Sequence, residues 1–239
     1  MKAQWIKDLA HRSLGSVSLV NKYRLQTIGK RQMRSRRADG ALWVQLGCGR
    51  HYIEGMVNVD VNPFIRSDLW IDLRRGLPFR SSCVDAIYCC HTLEHFYEWD
   101  VRRILRECRR VLKPGSGIRI VTPDLRKAVE SYLRNDASHF SDFPDARKSI
   151  GGKLVNYLLC RDQHRLIFDF GFWAEILEEE GFRNIQECKP HQSLIFPKNE
   201  ISVFEYEKPE KHHSVFVEAF KETTTCSENN DEMSIKKKF

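Results

Sequence analysis

Short apolar segments alternate with helical periodicity from residue 41 onward, and this alternation restricts the chain to one fold class. The apolar segments end in glycine or polar residues, as buried strands do, and they cover residues 41–47, 56–62, 69–73, 83–90 and 117–123. Before the last of them, apolar residues recur every three or four positions, which predicts an amphipathic helix over 98–112. Strands that alternate with helices form a mostly parallel sheet covered on both faces. We therefore predict an α/β fold.

The later part of the chain contains further helix and strand signals. Asp124 is placed to cap a helix that follows the fifth strand. Residues 170–182 predict a helix closed by Gly181, and residues 213–221 predict a last strand. Residues 136–165 are mixed in composition and lack a clear period, so we expect an insertion or a lid there.

The net charge of +7 is concentrated at the start of the chain. Residues 1–40 contain ten Lys or Arg and two Asp, so they form a basic arm ahead of a domain expected to span 41–221. The polar residues 222–239 predict a disordered tail. Residues 1–37 suit contact with an anionic membrane surface or with nucleic acid. A transit peptide, or a solvated helix packed on the domain, fits them equally.

The composition favours a protein of a reducing compartment. No apolar run approaches the ~18 residues of a membrane span, and the first thirty residues lack the apolar core of a secretory signal. None of the eight cysteines forms a C-x-x-C pair, and several lie in apolar segments, as buried free thiols do. We therefore expect a cytoplasmic protein, with peripheral membrane association or organellar targeting through the arm left open.

A glycine pair follows the first predicted strand, and an aspartate ends the second. Gly47 and Gly49 match the first half of the G-x-G-x-x-G fingerprint, but Tyr52 stands where the third glycine would contact a pyrophosphate-binding helix. Asp60 comes 13 residues after Gly47, against the ~20 residues of that fingerprint. A nucleoside-type ligand without phosphates fits better, with backbone approaching it at the glycines and Asp60 accepting from both ribose hydroxyls.

The letters His91-Thr92-Leu93-Glu94-His95 spell H-x-x-E-H, a zinc-protease signature. That signature requires a helix, because both histidines must face one metal ion. Here His91 directly follows the predicted strand 83–90, and helical periodicity begins only later. We therefore expect a loop at the strand end and no metal.

Four segments together resemble a class I S-adenosylmethionine-dependent methyltransferase of the type 11 kind: "VQLGCG", "NVDV", "DLRRGLPFRSSCVDAIYCCHTLEHF" and "LRECRRVLKPGSGIRIVTPD". The resemblance covers about residues 41–124. More loosely, "HRLIFDFGFWAEILEEEGF" and "SVFVEAFK" resemble a subgroup of methyltransferases associated with surface-polysaccharide synthesis. The resemblance implies a Rossmann-like, seven-stranded, mostly parallel sheet, with S-adenosylmethionine as cofactor.

The resemblance also assigns roles to particular residues. Gly47, Cys48 and Gly49 would border the methionine part of the cofactor, and Asp60 would hold the ribose. Asp72 would accept from the adenine amino group beside the backbone of Leu73, although one extra residue separates it from Leu-Pro-Phe. His91 would lie on the floor of the site beside the sulfonium. The stretch from Gly49 to Asp60 is too short for the usual first helix, so residues 50–55 would cover the cofactor differently.

S-adenosylmethionine already carries an activated methyl group, so the enzyme has to align the acceptor, exclude water and remove a proton. Four residues are candidates for the base: His91, His95, Asp124 and His164. For each of them a structural role is the alternative, such as His95 and Glu94 orienting the next helix. We expect O-methylation of a small-molecule or glycan acceptor. The alternatives are an RNA methyltransferase that uses the basic arm and a non-catalytic scaffold that binds S-adenosylmethionine.

Overall fold

The computed structural model describes residues 37–209 and 212–223. Residues 1–36 of the arm and 224–239 of the tail lie outside this part of the chain, so the expectations for both stay predictions.

The described residues form strands, α-helices and short 3₁₀ turns. The strands are β1 Trp43–Leu46, β2 Val57–Asp60, β3 Leu69–Trp70, β4 Val84–Cys90, β5 Leu112–Pro123, β6 Phe182–Cys188 and β7 Ser214–Lys221. The helices are α1 Glu98–Val111, α2 Leu125–Leu133, α3 Ile150–Leu159, α4 Phe170–Glu179 and α5 Lys198–Phe204. The 3₁₀ helices are Leu73–Arg75, Leu93–His95 and Ala137–His139. Within the described ranges, no helix has both the length and the apolar character needed to cross a membrane.

The strands join into one seven-stranded sheet in the order β3-β2-β1-β4-β5-β7-β6. The first five strands are parallel, whereas β7 runs antiparallel to both β5 and β6. β2 and β3 lie on one side of β1 and β4 lies on the other, so the strand order reverses between β1 and β4. Ligands of open α/β sheets bind beyond the carboxyl ends of the strands at such a reversal. The seven-stranded, mostly parallel sheet implied by the resemblance is confirmed.

Successive residues of the central strands point to opposite faces and enter two apolar clusters. Val44 belongs to the larger cluster, together with Val101 of α1 and Trp173 of α4. Its neighbour Trp43 belongs to the smaller cluster, together with Ile201 of α5. Helices therefore cover both faces of the sheet, as predicted.

The predicted helices are present, with small differences at their ends. α1 ends at Val111 because the next residue already has extended backbone and begins β5. Asp124 caps α2 as predicted, since its carboxylate accepts from the backbone N–H of Lys127 at 3.2 Å. The helix predicted over 170–182 ends at Glu179, and Phe182 already belongs to β6.

Three elements had no recognisable pattern in the sequence. β6 lies at the sheet edge and is largely exposed or half-buried, so it lacks the apolar run of a central strand. α3 lies inside 136–165 and is capped by Ser149, whose hydroxyl accepts from the backbone N–H of Gly152 at 3.1 Å. α5 is a short helix that buries Ile201 and Phe204. The role of 136–165 as a lid stays a prediction.

Candidate functional site

The residues singled out in the sequence gather at one edge of the sheet. Gly47 to Gly49 follow β1, Asp60 ends β2, His91 follows β4 and Asp124 follows β5. These are the carboxyl ends of parallel strands around the reversal of strand order. The topology therefore brings the glycine loop, Asp60 and His91 to one place.

The glycine loop is fixed on one side and open on the other. Gly47 has a φ of +66°, and its Cα packs directly against the side chain of Thr92 in the loop after β4. The Thr92 hydroxyl donates to the backbone carbonyls around it and lies 3.3 Å from the carbonyl oxygens of both Leu46 and Gly47. Gly49 has a φ of +53°, and a Cβ built on it would meet no atom within 4 Å. A ligand can therefore approach the backbone at Gly49.

Asp60 holds the glycine loop to the end of β2. Its Oδ2 accepts from the backbone N–H of Gly49 at 2.8 Å, and its Oδ1 accepts from the backbone N–H of Asn62 at 2.8 Å. Each carboxylate oxygen has two lone pairs, so each keeps one for a further donor. The half-buried carboxylate of Asp60 is thus placed to accept from a pair of ligand hydroxyls.

Cys48, between the two glycines, is buried and its backbone N–H donates to the Val59 carbonyl at 3.0 Å. Burial raises the pKa of its thiol, and the nearby charges of Asp60 and Asp68 raise it further, to about 12. The thiol therefore stays protonated near neutrality, and Cys48 contributes shape to the loop rather than a nucleophile.

Asp72 and Leu73 lie just beyond β3. Asp72 is buried and caps the 3₁₀ helix that begins at Leu73, accepting from the backbone N–H of Arg74 at 3.1 Å. The Arg74 guanidinium also donates to both of its oxygens, at 2.9 and 2.8 Å. The carboxylate that the resemblance assigns to adenine is therefore already paired with a cation, which the sequence did not predict. Its role toward adenine stays a prediction.

His91 is held by two chain segments that are distant in sequence. Its backbone has a φ of +46°, and its Nδ1 lies 3.2 Å from Oε1 of Glu94. On the other side, its Nε2 lies 3.2 Å from the Ser214 hydroxyl and 3.6 Å from Oε1 of Glu207. Sequence reasoning missed Glu207 and Ser214, since more than 110 residues separate them from His91 and their own stretch carries no local motif.

The groups around His91 set its charge. Burial opposes protonation of the ring, but the neighbouring Cys90, Glu207 and Glu94 outweigh it and hold the pKa of His91 well above its usual range. Burial also opposes the ionisation of Glu207, yet hydrogen bonds from His91 and Ser214 lower its pKa to about 2. His91 is therefore an imidazolium between two carboxylates, a form that cannot accept a further proton.

His95 and His164 lie side by side, with ring centroids 5.2 Å apart. The Nδ1 of His95 is 3.1 Å from the Gln163 carbonyl, and the Nδ1 of His164 is 2.8 Å from the Leu158 carbonyl. Burial lowers the pKa of His164, so its ring is neutral near pH 7. The structure therefore brings two of the four predicted base candidates together, beside Glu94.

Asp124 stands apart from this pair. It is buried, caps α2 and makes an ion pair of 3.2 Å with Lys127. The Lys127 ammonium in turn donates to the Ser214 carbonyl at 2.8 Å. These contacts give Asp124 a structural role, which the sequence analysis named as the alternative to a catalytic one. A role of Asp124 as base stays a prediction.

One segment of the chain is similar in sequence to a known protein family. The model of a methyltransferase domain family matches residues 65–120, less than half of the chain and beyond both the glycine loop and Asp60. No curated protein matches the sequence.

Among solved structures, a SAM dependent methyltransferase from Archaeoglobus fulgidus is 17% identical, with a TM-score of 0.47 over 85% of this chain and 94% of that one. A Haloferax volcanii complex of a methyltransferase with the Trm112 activator is 15% identical, with a TM-score of 0.47 over 87% of this chain and 94% of that one. Phosphoethanolamine N-methyltransferase 2 of Haemonchus contortus, bound to S-adenosyl-L-methionine, is 14% identical, with a TM-score of 0.47 over 77% of this chain and 49% of that one. The fold assignment rests on the strand order itself, and residues 65–120 are similar in sequence to a methyltransferase domain.

Proposed function

We propose that the protein is an S-adenosylmethionine-dependent methyltransferase that transfers a methyl group to a hydroxyl of a small-molecule or glycan acceptor. The observation that carries this proposal is the Gly49–Asp60 pair at the reversal of strand order. It presents open backbone and a carboxylate with unused lone pairs at the edge of the sheet where such folds bind ligands.

A phosphate-free nucleoside ligand agrees with the loop beyond the glycines. Residues 47–56 contain turns and no helix, so no helix N-terminus is available there for a pyrophosphate. Tyr52 instead pins this loop, because its hydroxyl donates to Asp68 at 2.9 Å and the Arg66 guanidinium lies 3.7 Å above its ring. The first connection is short, as expected from the sequence, and these side-chain contacts hold it.

The charges around His91 suit a cationic ligand. S-adenosylmethionine supplies a sulfonium-bound methyl group, so the chain itself needs to position the acceptor and manage charge and water. Glu94 and Glu207 are ionised and His91 carries one positive charge, which leaves this part of the site with a net negative charge. A sulfonium is favoured beside a group of net negative charge, and the carboxylates of Glu94 and Glu207 supply that charge.

An exposed aromatic pair supports a sugar-like acceptor. Tyr97 and Trp99 stack at 4.6 Å with their planes within 13°, although they are 47% and 65% exposed. Tyr97 is the N-cap of α1 and Trp99 lies in its first turn, two and four residues after His95 in the chain. Flat aromatic rings offer an apolar surface on which the apolar face of a sugar can pack.

The test is calorimetric titration of S-adenosylmethionine and S-adenosylhomocysteine into the wild-type protein and two variants. Asp60→Ala should lose binding that is micromolar in the wild type. Asp85→Ala is the matched control, because Asp85 also accepts from a backbone N–H, at 2.9 Å from Leu42, but lies near the amino end of β4. Absence of binding to folded wild type, or equal binding by Asp60→Ala, would sink the proposal.

A further inference from the structure

We propose that Glu94, His95 and His164 form a binding site for one divalent transition-metal ion, with Zn²⁺ as the best-matched cation. One ligating atom from each of the three side chains lies within 4.8 Å of those of the other two. Two imidazoles and one carboxylate are a ligand set that zinc sites use, with a fourth position left open.

The hydrogen bonds of the two histidines set both rings in the form that binds a metal. A carbonyl oxygen only accepts, so the Nδ1 of His95 must donate to Gln163 and the Nδ1 of His164 must donate to Leu158. Both Nε2 atoms then carry lone pairs, and no described residue donates to either of them. Metal-bound histidines characteristically donate their other ring N–H to a carbonyl or carboxylate, which fixes the tautomer and the ring orientation.

The side chain of Glu94 provides a second, independent indication of a bound cation. Its side chain is 2% exposed, and its Oε1 accepts from the Nδ1 of His91 at 3.2 Å. Its Oε2 is buried and has no hydrogen-bond partner among the described residues. A buried carboxylate oxygen without a partner is costly, and a bound cation would satisfy it.

The backbone holds the two halves of the cluster together. The Glu94 carbonyl accepts from the backbone N–H groups of Arg165 at 2.7 Å and Leu166 at 3.2 Å. The turn that carries Glu94 and His95 is therefore tied to the residues directly after His164. Such pre-organisation lowers the cost of ordering the ligands when the ion binds.

This site differs from the H-x-x-E-H arrangement considered in the sequence. His91 is not a member, because both of its ring nitrogens are occupied by Glu94 on one side and by Ser214 and Glu207 on the other. Glu94 is a ligand here, whereas in the protease signature the glutamate is a base. The third ligand, His164, comes from another segment, which is why the sequence predicted no metal.

The function of the ion rests on the proposed methyltransferase activity, whereas the site itself does not. The open position would take the hydroxyl oxygen of the acceptor, and coordination would lower the pKa of that hydroxyl so that its proton can pass to solvent. The oxygen would then take the methyl group from the sulfonium, and S-adenosylhomocysteine would leave. His95 and His164 would then act as ligands and not as bases. His95 is exposed, so the cluster is open to solvent on that side.

The test is binding of Zn²⁺ to the full chain after removal of metals with a chelator, measured by calorimetry without S-adenosylmethionine. Co²⁺ serves as a second probe, because its visible absorption reports tetrahedral nitrogen and oxygen ligation. We expect one Zn²⁺ per chain. Loss of outer-shell partners alone costs metal sites about 10–100-fold in affinity, so His164→Ala, His95→Ala and Glu94→Gln should each weaken binding by at least about 100-fold.

His212→Ala is the matched control and should bind as the wild type does. Because His95 is exposed, its variant is expected to keep the fold even if a change at buried Glu94 does not, and thermal melting checks each protein. No Zn²⁺ binding to wild type, or wild-type affinity for Zn²⁺ in both His95→Ala and His164→Ala, would overturn the site. The titration contains no S-adenosylmethionine, so a failure to bind Zn²⁺ is distinct from a failure of the proposed methyltransferase function.

Discussion

Gly47 and Thr92 pack so closely that a methyl group on Gly47 would overlap the threonine side chain. It would lie only 2.8 Å from the Cβ of Thr92. The two residues come from the loops after β1 and β4, on either side of the reversal of strand order. Contact between them fixes the spacing of the loops that form the proposed cofactor site.

Gly47→Ala should therefore lower the free energy of unfolding by about 2–4 kcal/mol, since overpacking costs about 1–3 kcal/mol and the left-handed backbone adds ~1 kcal/mol. Gly49→Ala is the matched control, because it has a similar positive φ but open space around its Cβ. Gly49→Ala should lower the free energy of unfolding by only ~1 kcal/mol, the cost of placing an alanine in the left-handed backbone region. Urea unfolding of both variants measures the difference, and equal losses would contradict the close contact.

Trp99→Ala should leave the affinity for S-adenosylmethionine unchanged and raise the KM for the acceptor by about tenfold. The physical reason is loss of one stacked aromatic face, worth on the order of 1 kcal/mol. Leu194→Ala is the control, because Leu194 is 76% exposed and does not belong to the aromatic pair. Steady-state kinetics with an acceptor found by screening glycans checks this, and an unchanged KM would remove the aromatic pair from the acceptor site.

The stability of the protein should fall as the pH drops from about 5 toward 2, partly through Glu207. Its pKa of about 2 lies below the usual 4.5 of a glutamate, so its contribution is complete above pH 4.5 and is lost as the pH approaches 2. Glu207→Gln removes this contribution, of about 3 kcal/mol at most by linkage.

The measurement is urea unfolding at pH 3, 4, 5 and 7. The difference in stability between wild type and Glu207→Gln should shrink steadily as the pH falls below 5. Glu54→Gln is the control, since the Glu54 side chain is 76% exposed in its pair with Arg66. A difference that is independent of pH would show that Glu207 does not act through its charge.

Glu205→Gln should be strongly destabilising, because it breaks a buried ionic network around Arg119 of β5. The Arg119 side chain is fully buried and donates to Glu205 at 2.5 and 3.0 Å and to Glu218 at 2.9 Å. Removing one partner of a buried pair costs about 3–5 kcal/mol. Glu130→Gln, in an exposed pair with Arg134, should cost less than about 0.5 kcal/mol. A similar effect of the two changes on urea unfolding would contradict the buried network.

The local patterns of the sequence determined the central strands, α1 and the cap of α2. Apolar periodicity and a capping aspartate act over a few residues, so they can be read without knowing the rest of the chain. The glycine pair and Asp60 each follow a predicted strand, and the carboxyl ends of parallel strands lie at one edge of the sheet, so their common location could also be predicted from the sequence. The edge strand β6 was missed because its side chains are mostly solvent-exposed, and exposure leaves no apolar pattern.

Only the tertiary structure decided which side chains meet. The contacts of His91 with Glu207 and Ser214, and of the Glu94 turn with the residues after His164, join segments separated by tens of residues or more. Long-range packing creates these contacts and no local pattern encodes them. They change the chemistry, because two carboxylates hold His91 protonated and the approach of His164 gives Glu94 and His95 a third ligand. The sequence alone determined which residues gather at the edge of the sheet where the cofactor site is proposed, and the packing of distant segments decided which side chains contact one another there.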